Sequence, residues 1–372
     1  MRVKKIRENI SQLKPYSTAE TQWRVRLDAN ERPENLPSAV KEQVLNRLAG
    51  LDFNRYPDSG ATELRQKIGA AFGLDGGNVL LGNGSSELLA VICTVFGGEG
   101  RKIIYPTPSF SMYSVYAKLS DSPAFAIPLE ADFSPNMEKV IGAAQSEQAG
   151  LVILCNPNNP TGNVMQSTDI RTVLAAATCP VVVDEAYYEY CGQSVSDLLP
   201  QFPNLIITRT FSKAYGLAGV RAGYMLAAAD IVAAVIKAQL PYHMNALSLA
   251  AATAVWETRQ AFAADIALTI AERERMTDSL GHLSTVQVYP SKTNFLLIRV
   301  EQPAALREMF AAQSVGIRDF SDYQGLEGCF RITVGTRIEN NLAMNILERY
   351  HKTREPSGGA GFPKGDSYGE TR

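Results

Sequence analysis

Residues 204–224 read NLIITRTFSKAYGLAGVRAGY, an apolar run followed by a loop that holds a serine, a lysine and an arginine. The run NLIITRT has no polar alternation, which is typical of a strand covered by helices on both faces. Helical patterns separate it from four similar runs: NVLLG (78–82), KIIYP (102–106), LVILCN (151–156) and PVVVDE (180–185). Strands that alternate with helices predict an α/β fold with a mostly parallel sheet.

The length of 372 residues exceeds the usual size of one hydrophobic core, so we expect a large domain and a smaller one. The alternating pattern predicts the large domain at residues 40–265. Beyond it, a long charged helical pattern, the strands NFLLIRV and GCFRITVG and a last helix predict a small α+β domain of residues 1–39 and 266–351. Residues 352–372 are rich in Gly, Ser and charge, which predicts a disordered tail.

Composition excludes several classes of partner. Thirty-six basic and 38 acidic residues give a net charge of −2, so neither nucleic acid nor an anionic membrane is expected to bind. No apolar run reaches the roughly 18 residues of a membrane span, and the first residues lack the apolar segment of a secretory signal. We therefore expect a cytoplasmic protein. The five scattered cysteines and three histidines have no metal-ligand spacing, so no metal site is predicted.

Polar residues follow the predicted strands, at the edge where open α/β sheets bind ligands. Lys213 offers an amine, Asp184 a carboxylate, and Asn159 and Tyr187 offer hydrogen-bond donors. Alone, each also fits a surface lysine, a helix cap or a ligand-free loop. Together they meet the demands of pyridoxal phosphate (PLP): an amine for the aldehyde, a buried carboxylate for the ring nitrogen and donors for the ring oxygen.

The phosphate of PLP needs its own donors. Backbone N–H groups at the start of a helix can bind an anion, and the turn GNGSSE (82–87) connects a predicted strand to a predicted helix. The same turn also fits a helix capped by serine, without a ligand. The candidate phosphate ligands are Gly84, Ser85, Ser86, Thr210, Ser212 and Arg221.

Three motifs in chain order resemble the fold-type I PLP enzymes of the aspartate aminotransferase superfamily: NPNNPTG (156–162), DEAYYEY (184–190) and TFSKAYGLAGVRAGY (210–224). The resemblance extends from about Ile6 to Tyr350. It implies a mostly parallel seven-stranded sheet in the large domain, PLP as cofactor and amino transfer as activity. The family's cofactor ligands fall on Asn159, Asp184, Tyr187, Lys213 and Arg221, with Lys213 as the catalytic residue.

The segments RLDANERP (26–33) and RYPDSGATELRQKI (55–68) are similar to the histidinol-phosphate aminotransferase family. In that family the segment around Asn30 covers the site. The tyrosine that matches Tyr56 contacts the cofactor phosphate of the neighbouring subunit, which implies a homodimer with shared sites. In PTPSFSMY (106–113) the resemblance puts Phe110 on the cofactor ring, where many relatives have tyrosine.

This resemblance also implies the substrates, L-glutamate or 2-oxoglutarate and the pair imidazole acetol phosphate and L-histidinol phosphate of histidine biosynthesis. Arg331 in GCFRITVGTR resembles the family's carboxylate-binding arginine, and Arg318 is a second candidate for the same anion. An arginine on a strand also fits a solvated face. Tyr16 and Asn245 match positions near the substrate.

Three other functions fit parts of this pattern. An aromatic amino-acid aminotransferase and a threonine-phosphate decarboxylase of cobalamin synthesis share the scaffold. A transcription regulator that senses PLP would need a DNA-binding domain, and the roughly 25 residues before RLDANERP are too few for one.

Overall fold

The computed structural model describes residues 6–11, 13, 15 and 22–354, in which the chain forms two compact units. Of the described residues, those up to 15, 31–270 and 292–294 belong to the larger unit, and 22–30, 271–291 and 295–354 to the smaller. Residues 31–39 and 266–270 are thus part of the larger unit. The domain boundaries expected from the sequence, at residues 39/40 and 265/266, stay a prediction.

The strands are β1 Val25–Leu27, β2 Val79–Gly82, β3 Lys102–Thr107, β4 Ala124–Pro128, β5 Ala149–Cys155, β6 Val181–Asp184, β7 Leu205–Thr210, β8 Gly223–Ala227, β9 Gln287–Val288, β10 Phe295–Arg299, β11 Val315–Asp319 and β12 Cys329–Thr333. The α-helices are α1 Glu8–Ser11, α2 Ser38–Ala49, α3 Thr62–Ala71, α4 Ser85–Phe96, α5 Met112–Leu119, α6 Met137–Ala144, α7 Ser167–Ala176, α8 Tyr188–Cys191, α9 Ala229–Ile236, α10 Ala246–Glu257, α11 Ala263–Gly281, α12 Pro303–Ala312 and α13 Arg337–Arg354.

The larger unit contains a seven-stranded sheet in the order β2-β8-β7-β6-β5-β3-β4. Strand β8 runs opposite to the other six strands, which are parallel to one another, and this confirms the predicted mostly parallel sheet. All five apolar runs are strands of it. The pattern does not predict β4 or β8, because β4 is an edge strand with little burial and β8 follows the lysine loop without a break.

Both faces of this sheet are buried, as its apolar strands predict. Side chains of β6 alternate between two hydrophobic clusters, with Val181 and Val183 in one and Val182 in the other. Strands β5 and β7 alternate in the same way. Successive side chains along each strand therefore point to opposite faces of the sheet.

The smaller unit has a five-stranded sheet in the order β1-β11-β12-β10-β9, in which β1 and β11 are parallel and the other pairs antiparallel. The predicted strands NFLLIRV and GCFRITVG are β10 and β12. The last helix, α13, continues to Arg354, so residues 352–354 of the predicted tail are helical; the rest of that tail lies outside the described residues. No helix in the described part of the chain is long and apolar enough to cross a membrane.

Candidate active site

The predicted site residues of the larger unit follow strands that end at one edge of its sheet. Strand register pairs Gly82 with Gly223, Gly223 with Thr210 and Thr208 with Asp184. Since β2, β5, β6 and β7 are parallel to one another, their carboxyl ends meet at this edge. The fold therefore brings the phosphate turn, the carboxylate and the start of the lysine loop to the same edge.

Asp184, at the end of β6, is 3% exposed and accepts hydrogen bonds from two side chains, besides one from the backbone N–H of Ala186. Tyr113 Oη donates to Oδ2 at 2.8 Å, and Thr208 Oγ1 donates to Oδ1 at 3.2 Å. Burial raises the pKa of the carboxyl to about 6, although both bonds act in the opposite direction. No ion pair among the described residues includes Asp184. The carboxylate is thus held rigidly in a place suited to a cation.

This burial predicts a specific pH dependence of stability. Because the pKa of Asp184 is raised from 3.8 to about 6, the folded chain keeps a proton that the unfolded chain has released in that window. The free energy of unfolding of the cofactor-free protein should therefore fall as pH rises through it, by up to about 3 kcal/mol. In Asp184→Asn the free energy of unfolding should not show this fall with pH. Urea unfolding of both proteins at a series of pH values would measure the difference. Parallel curves for the two proteins would contradict the assignment.

The predicted phosphate turn joins β2 to α4. Its N-cap, Gly84, has φ +83°, and no side chain caps the helix end. The first N–H groups of a helix have no partner within it, so those of Ser85 and Ser86 point toward any anion bound there. Arg221, itself at φ +58°, lies close: a Cβ on Gly84 would be 2.6 Å from its Nη2. Arg221 Nη1 also lies 3.5 Å from Ser212 Oγ. These contacts bring the predicted phosphate ligands of both segments together.

Gly223 maintains the close approach behind this turn. A Cβ on it would lie 2.3 Å from Ser85 N and 2.7 Å from Gly84 C, both backbone atoms. We expect Gly223→Ala to displace the turn, lowering stability by about 1–3 kcal/mol and weakening PLP binding. Gly219→Ala is the control, since no atom lies within 4 Å of a Cβ at that position. Thermal unfolding and cofactor titration would measure both effects, and equal behaviour of the two variants would refute the close approach.

The lysine loop between β7 and β8 is anchored at its two sides. Phe211 is fully buried, its N–H donates to Ala222 O at 3.0 Å, and its carbonyl accepts from Leu217 N at 2.9 Å. Lys213, between these anchors, is half-buried. The loop thus fixes the backbone on both sides of the lysine, which a reacting amine requires.

The loop that carries Asn159 is bound to two neighbours. Asn156 N donates to Asp184 O at 2.9 Å, and Asn158 Nδ2 donates to Pro108 O at 3.0 Å. Ser109 Oγ donates to Asn158 Oδ1 at 2.7 Å. Asn159 is therefore held between the strand end of Asp184 and the segment that leads to Phe110.

Tyr187 follows a turn that is fixed by a buried ion pair. Arg209 and Glu185 are each 1% exposed, with Nη2 and Oε2 2.7 Å apart. The guanidinium also lies 3.5 Å from the ring centroid of Tyr188. Tyr187 itself is buried. The pair thus anchors the turn on which the predicted ring-oxygen donor lies.

The other candidates of the larger unit differ in exposure. Phe110 is half-buried and packs edge to face on Tyr113, with centroids 5.5 Å apart. Tyr56 is 80% exposed and stacks on Tyr242 at 4.3 Å. Asn245 caps α10, accepting from Ser248 N at 2.8 Å, so its observed contact is structural. Tyr16 lies outside the described residues.

The smaller unit holds the remaining candidates. Arg331 on β12 is 7% exposed, and its Nη2 donates to Asp28 O at 2.7 Å. Arg318 is its Cα partner on β11, and both guanidinium groups lie within 6 Å of the Phe320 ring centroid. Asn30, buried at φ +53°, accepts from Thr333 Oγ1 at 3.2 Å. The solvated alternative therefore does not describe Arg331.

Sequence reasoning missed Tyr113 and Thr208, the two donors to Asp184. Both lay in segments already quoted, PTPSFSMY and TRTFSKAY. Parallel register would have placed Thr208 beside Asp184, because the two are at matching positions of neighbouring strands. Tyr113 had no such signal, since a helix rotation decides where its hydroxyl points.

The site residues present fit PLP on two independent observations. The carboxylate of Asp184, buried and without an ion pair in the described part of the chain, suits a protonated ring nitrogen, which would supply a positive charge there. An uncapped helix start beside a guanidinium suits a dianionic phosphate.

Comparison with known proteins agrees with this chemistry. A histidinol-phosphate aminotransferase of Thermoanaerobacter sp. (strain X514) is 37% identical over 92% of this chain and 97% of its own length. One from Thermococcus gammatolerans is 39% identical over 92% and 96%. The crystal structure of the Sinorhizobium meliloti histidinol-phosphate aminotransferase in complex with pyridoxal-5'-phosphate shares the fold, with a TM-score of 0.84 and 24% identity over 95% of this chain and 99% of that one. Residues 24–347 match the family model of aminotransferase class I and II, and the chain belongs to that family.

Proposed function

We propose that this protein is a histidinol-phosphate aminotransferase, which uses PLP to move an amino group between L-glutamate and imidazole acetol phosphate. The observation that carries this proposal is the pair of relatives of that name, which are 37% and 39% identical over nearly the whole chain. The family fixes amino transfer as the activity. The names of the relatives support histidinol phosphate as the substrate. The proposed role is a step of histidine biosynthesis, and the proposed location is the cytoplasm.

In this proposal, bound PLP supplies an aldehyde for the amine and a ring that withdraws electrons from the substrate carbon. Lys213 would hold the cofactor through its amine, and as a free amine it would move the proton at the substrate Cα. Asp184 holds the proton on the ring nitrogen, and Asn159 and Tyr187 donate to the ring oxygen. The Gly84–Ser86 turn, Thr210, Ser212 and Arg221 hold the phosphate in place.

Arg331 and Arg318 are the proposed anion ligands for the substrate. The buried Arg331 is oriented by its bond to Asp28 O, and Arg318 is the next residue across the ladder. Two guanidinium groups on adjacent strands suit a carboxylate in one half-reaction and a phosphate in the other. Asn30 supports the same region through Thr333, while Tyr16 and Asn245 are proposed to lie near the substrate.

Turnover of three substrates tests the specificity. With 2-oxoglutarate as acceptor, we expect kcat/KM for histidinol phosphate to exceed that for phenylalanine, and carbon dioxide release from threonine phosphate to be absent. A protein that decarboxylates threonine phosphate, or prefers phenylalanine, would be one of the two alternative enzymes. No turnover of histidinol phosphate would overturn the proposal.

We also propose that the active form is a homodimer. Apolar side chains are strongly exposed in two segments of the larger unit, Phe53 (79%), Tyr56 (80%) and Leu240 (74%). Tyr56 stacks on Tyr242, so exposed aromatic rings of the two segments lie together, which favours a protein partner at this surface. In the dimer Tyr56 would contact the cofactor phosphate of the neighbouring subunit.

Mixing two inactive variants tests this sharing. If Tyr56 acts across the interface, a hybrid of Lys213→Ala and Tyr56→Ala subunits contains one site with both native residues. Equal mixing should then restore about a quarter of the sites, while each variant alone stays impaired. Recovery should appear only after dissociation and reassociation of the subunits. A mixture no more active than its components would place Tyr56 in its own subunit's site.

A further inference from the structure

We propose that Tyr113 is a positioning residue for amino transfer, whose hydroxyl orients the Asp184 carboxylate and keeps it ionised for the cofactor's ring nitrogen. This inference rests on the proposed function. The bond from Tyr113 Oη to Asp184 Oδ2 is 2.8 Å long and joins α5 to the end of β6, 71 residues apart in sequence. Both residues are buried, so water does not compete for either partner.

The hydroxyl can only donate in this contact. Burial, and next the charge of Asp184, raise the pKa of Tyr113 well above its ordinary value, so it keeps its proton at any working pH. A carboxylate that accepts a bond from an O–H donor is favoured over the neutral acid. Tyr113 therefore offsets part of the cost of keeping a charge in this buried place.

Few other groups around Asp184 stabilise its charge. The backbone N–H of Ala186 donates to it, and Thr208 on β7 donates at 3.2 Å, the longer of the two side-chain bonds. Cys155 on β5 is a neutral thiol, because burial raises its pKa to about 12. Glu185, next in the chain, opposes ionisation of Asp184 but is itself paired with Arg209. Tyr116, on the same helix as Tyr113, has no hydrogen bond to Asp184 among the bonds of the described residues.

The Tyr113 ring has a separate, structural task. It packs edge to face on Tyr105 at 5.9 Å and on Phe110 at 5.5 Å. Phenylalanine would keep both contacts, so Tyr113→Phe removes the hydroxyl alone. The matched control is Tyr105→Phe, a buried tyrosine of the same cluster whose hydroxyl does not bond Asp184.

Infrared titration of the cofactor-free, full-length protein tests the bond directly. The band that disappears in Asp184→Asn identifies this carboxyl. We expect Tyr113→Phe to shift its ionisation equilibrium roughly tenfold toward the acid, Thr208→Val to shift it less, and Tyr105→Phe to leave it unchanged. An unshifted band in Tyr113→Phe would overturn the proposal. The result does not depend on the substrate, so it stands apart from the test of histidinol phosphate turnover.

A double-mutant cycle on PLP binding tests whether Tyr113 acts through Asp184. Tyr113→Phe should weaken binding about tenfold in the native chain and have little effect in the Asp184→Asn background. Equal weakening in both backgrounds would show that Tyr113 acts independently of the carboxylate, which also overturns the proposal.

Discussion

Lys213→Ala is expected to lower the rate of amino transfer by roughly 10⁴-fold or more. The lysine is proposed to perform two tasks, covalent attachment of the cofactor and movement of the Cα proton. No other amine is available to replace it within the anchored loop between Phe211 and Leu217. The cofactor should still bind through its phosphate and ring contacts, because those depend on other residues.

Single-turnover kinetics with glutamate would measure the loss, and mass spectrometry after borohydride reduction would show whether cofactor remains attached to the chain. Lys41→Ala, an exposed lysine on α2, is the control and should retain both attachment and rate. A Lys213→Ala protein with substantial transaminase activity would contradict the mechanism outright.

Asp184→Ala is expected to lower kcat by about 10²–10³-fold, because it would remove the proposed charge partner of the cofactor's ring nitrogen. It also leaves the hydroxyls of Tyr113 and Thr208 without their acceptor, which should weaken cofactor binding. Asp184→Glu keeps the charge but moves it by one methylene, so it should recover part of the rate.

Steady-state kinetics at saturating PLP separates the rate from the binding defect. The control is Asp197→Ala, a change at an exposed carboxylate in the segment between β6 and β7, which should leave kcat unchanged. If Asp184→Ala kept its native kcat once saturated with PLP, Asp184 would serve binding and not the chemical step.

Much of the architecture followed from the amino-acid sequence. Continuous apolar runs between helical patterns predicted a mostly parallel sheet, since only strands covered on both faces are apolar throughout. The strand edge of the candidate site followed as well, because parallel strands place the residues beyond Thr210, Asp184 and Cys155 at one edge. The resemblance then supplied the cofactor and the family, which the comparisons agree with.

Local pattern could not predict the elements and roles that depend on neighbours. Strand β8 was not recognised, because its antiparallel pairing with β2 and β7 is a long-range contact with no local period. Asn245 matches a substrate position, which stays a prediction, and local pattern did not indicate that its side chain also caps α10. One type of side chain can form several kinds of contact, and the contacts it does form depend on which atoms lie next to it in the fold.

The sequence by itself determined which polar residues follow each predicted strand and in which order these strands occur along the chain. Lys213, Asp184 and Arg221 could be named as candidates because motif spacing along a strand end is a one-dimensional property. Only the tertiary structure decided that Tyr113 and Thr208 hold Asp184 and that Gly223 lets the phosphate turn close, since helix rotation and strand register bring together residues far apart in the chain.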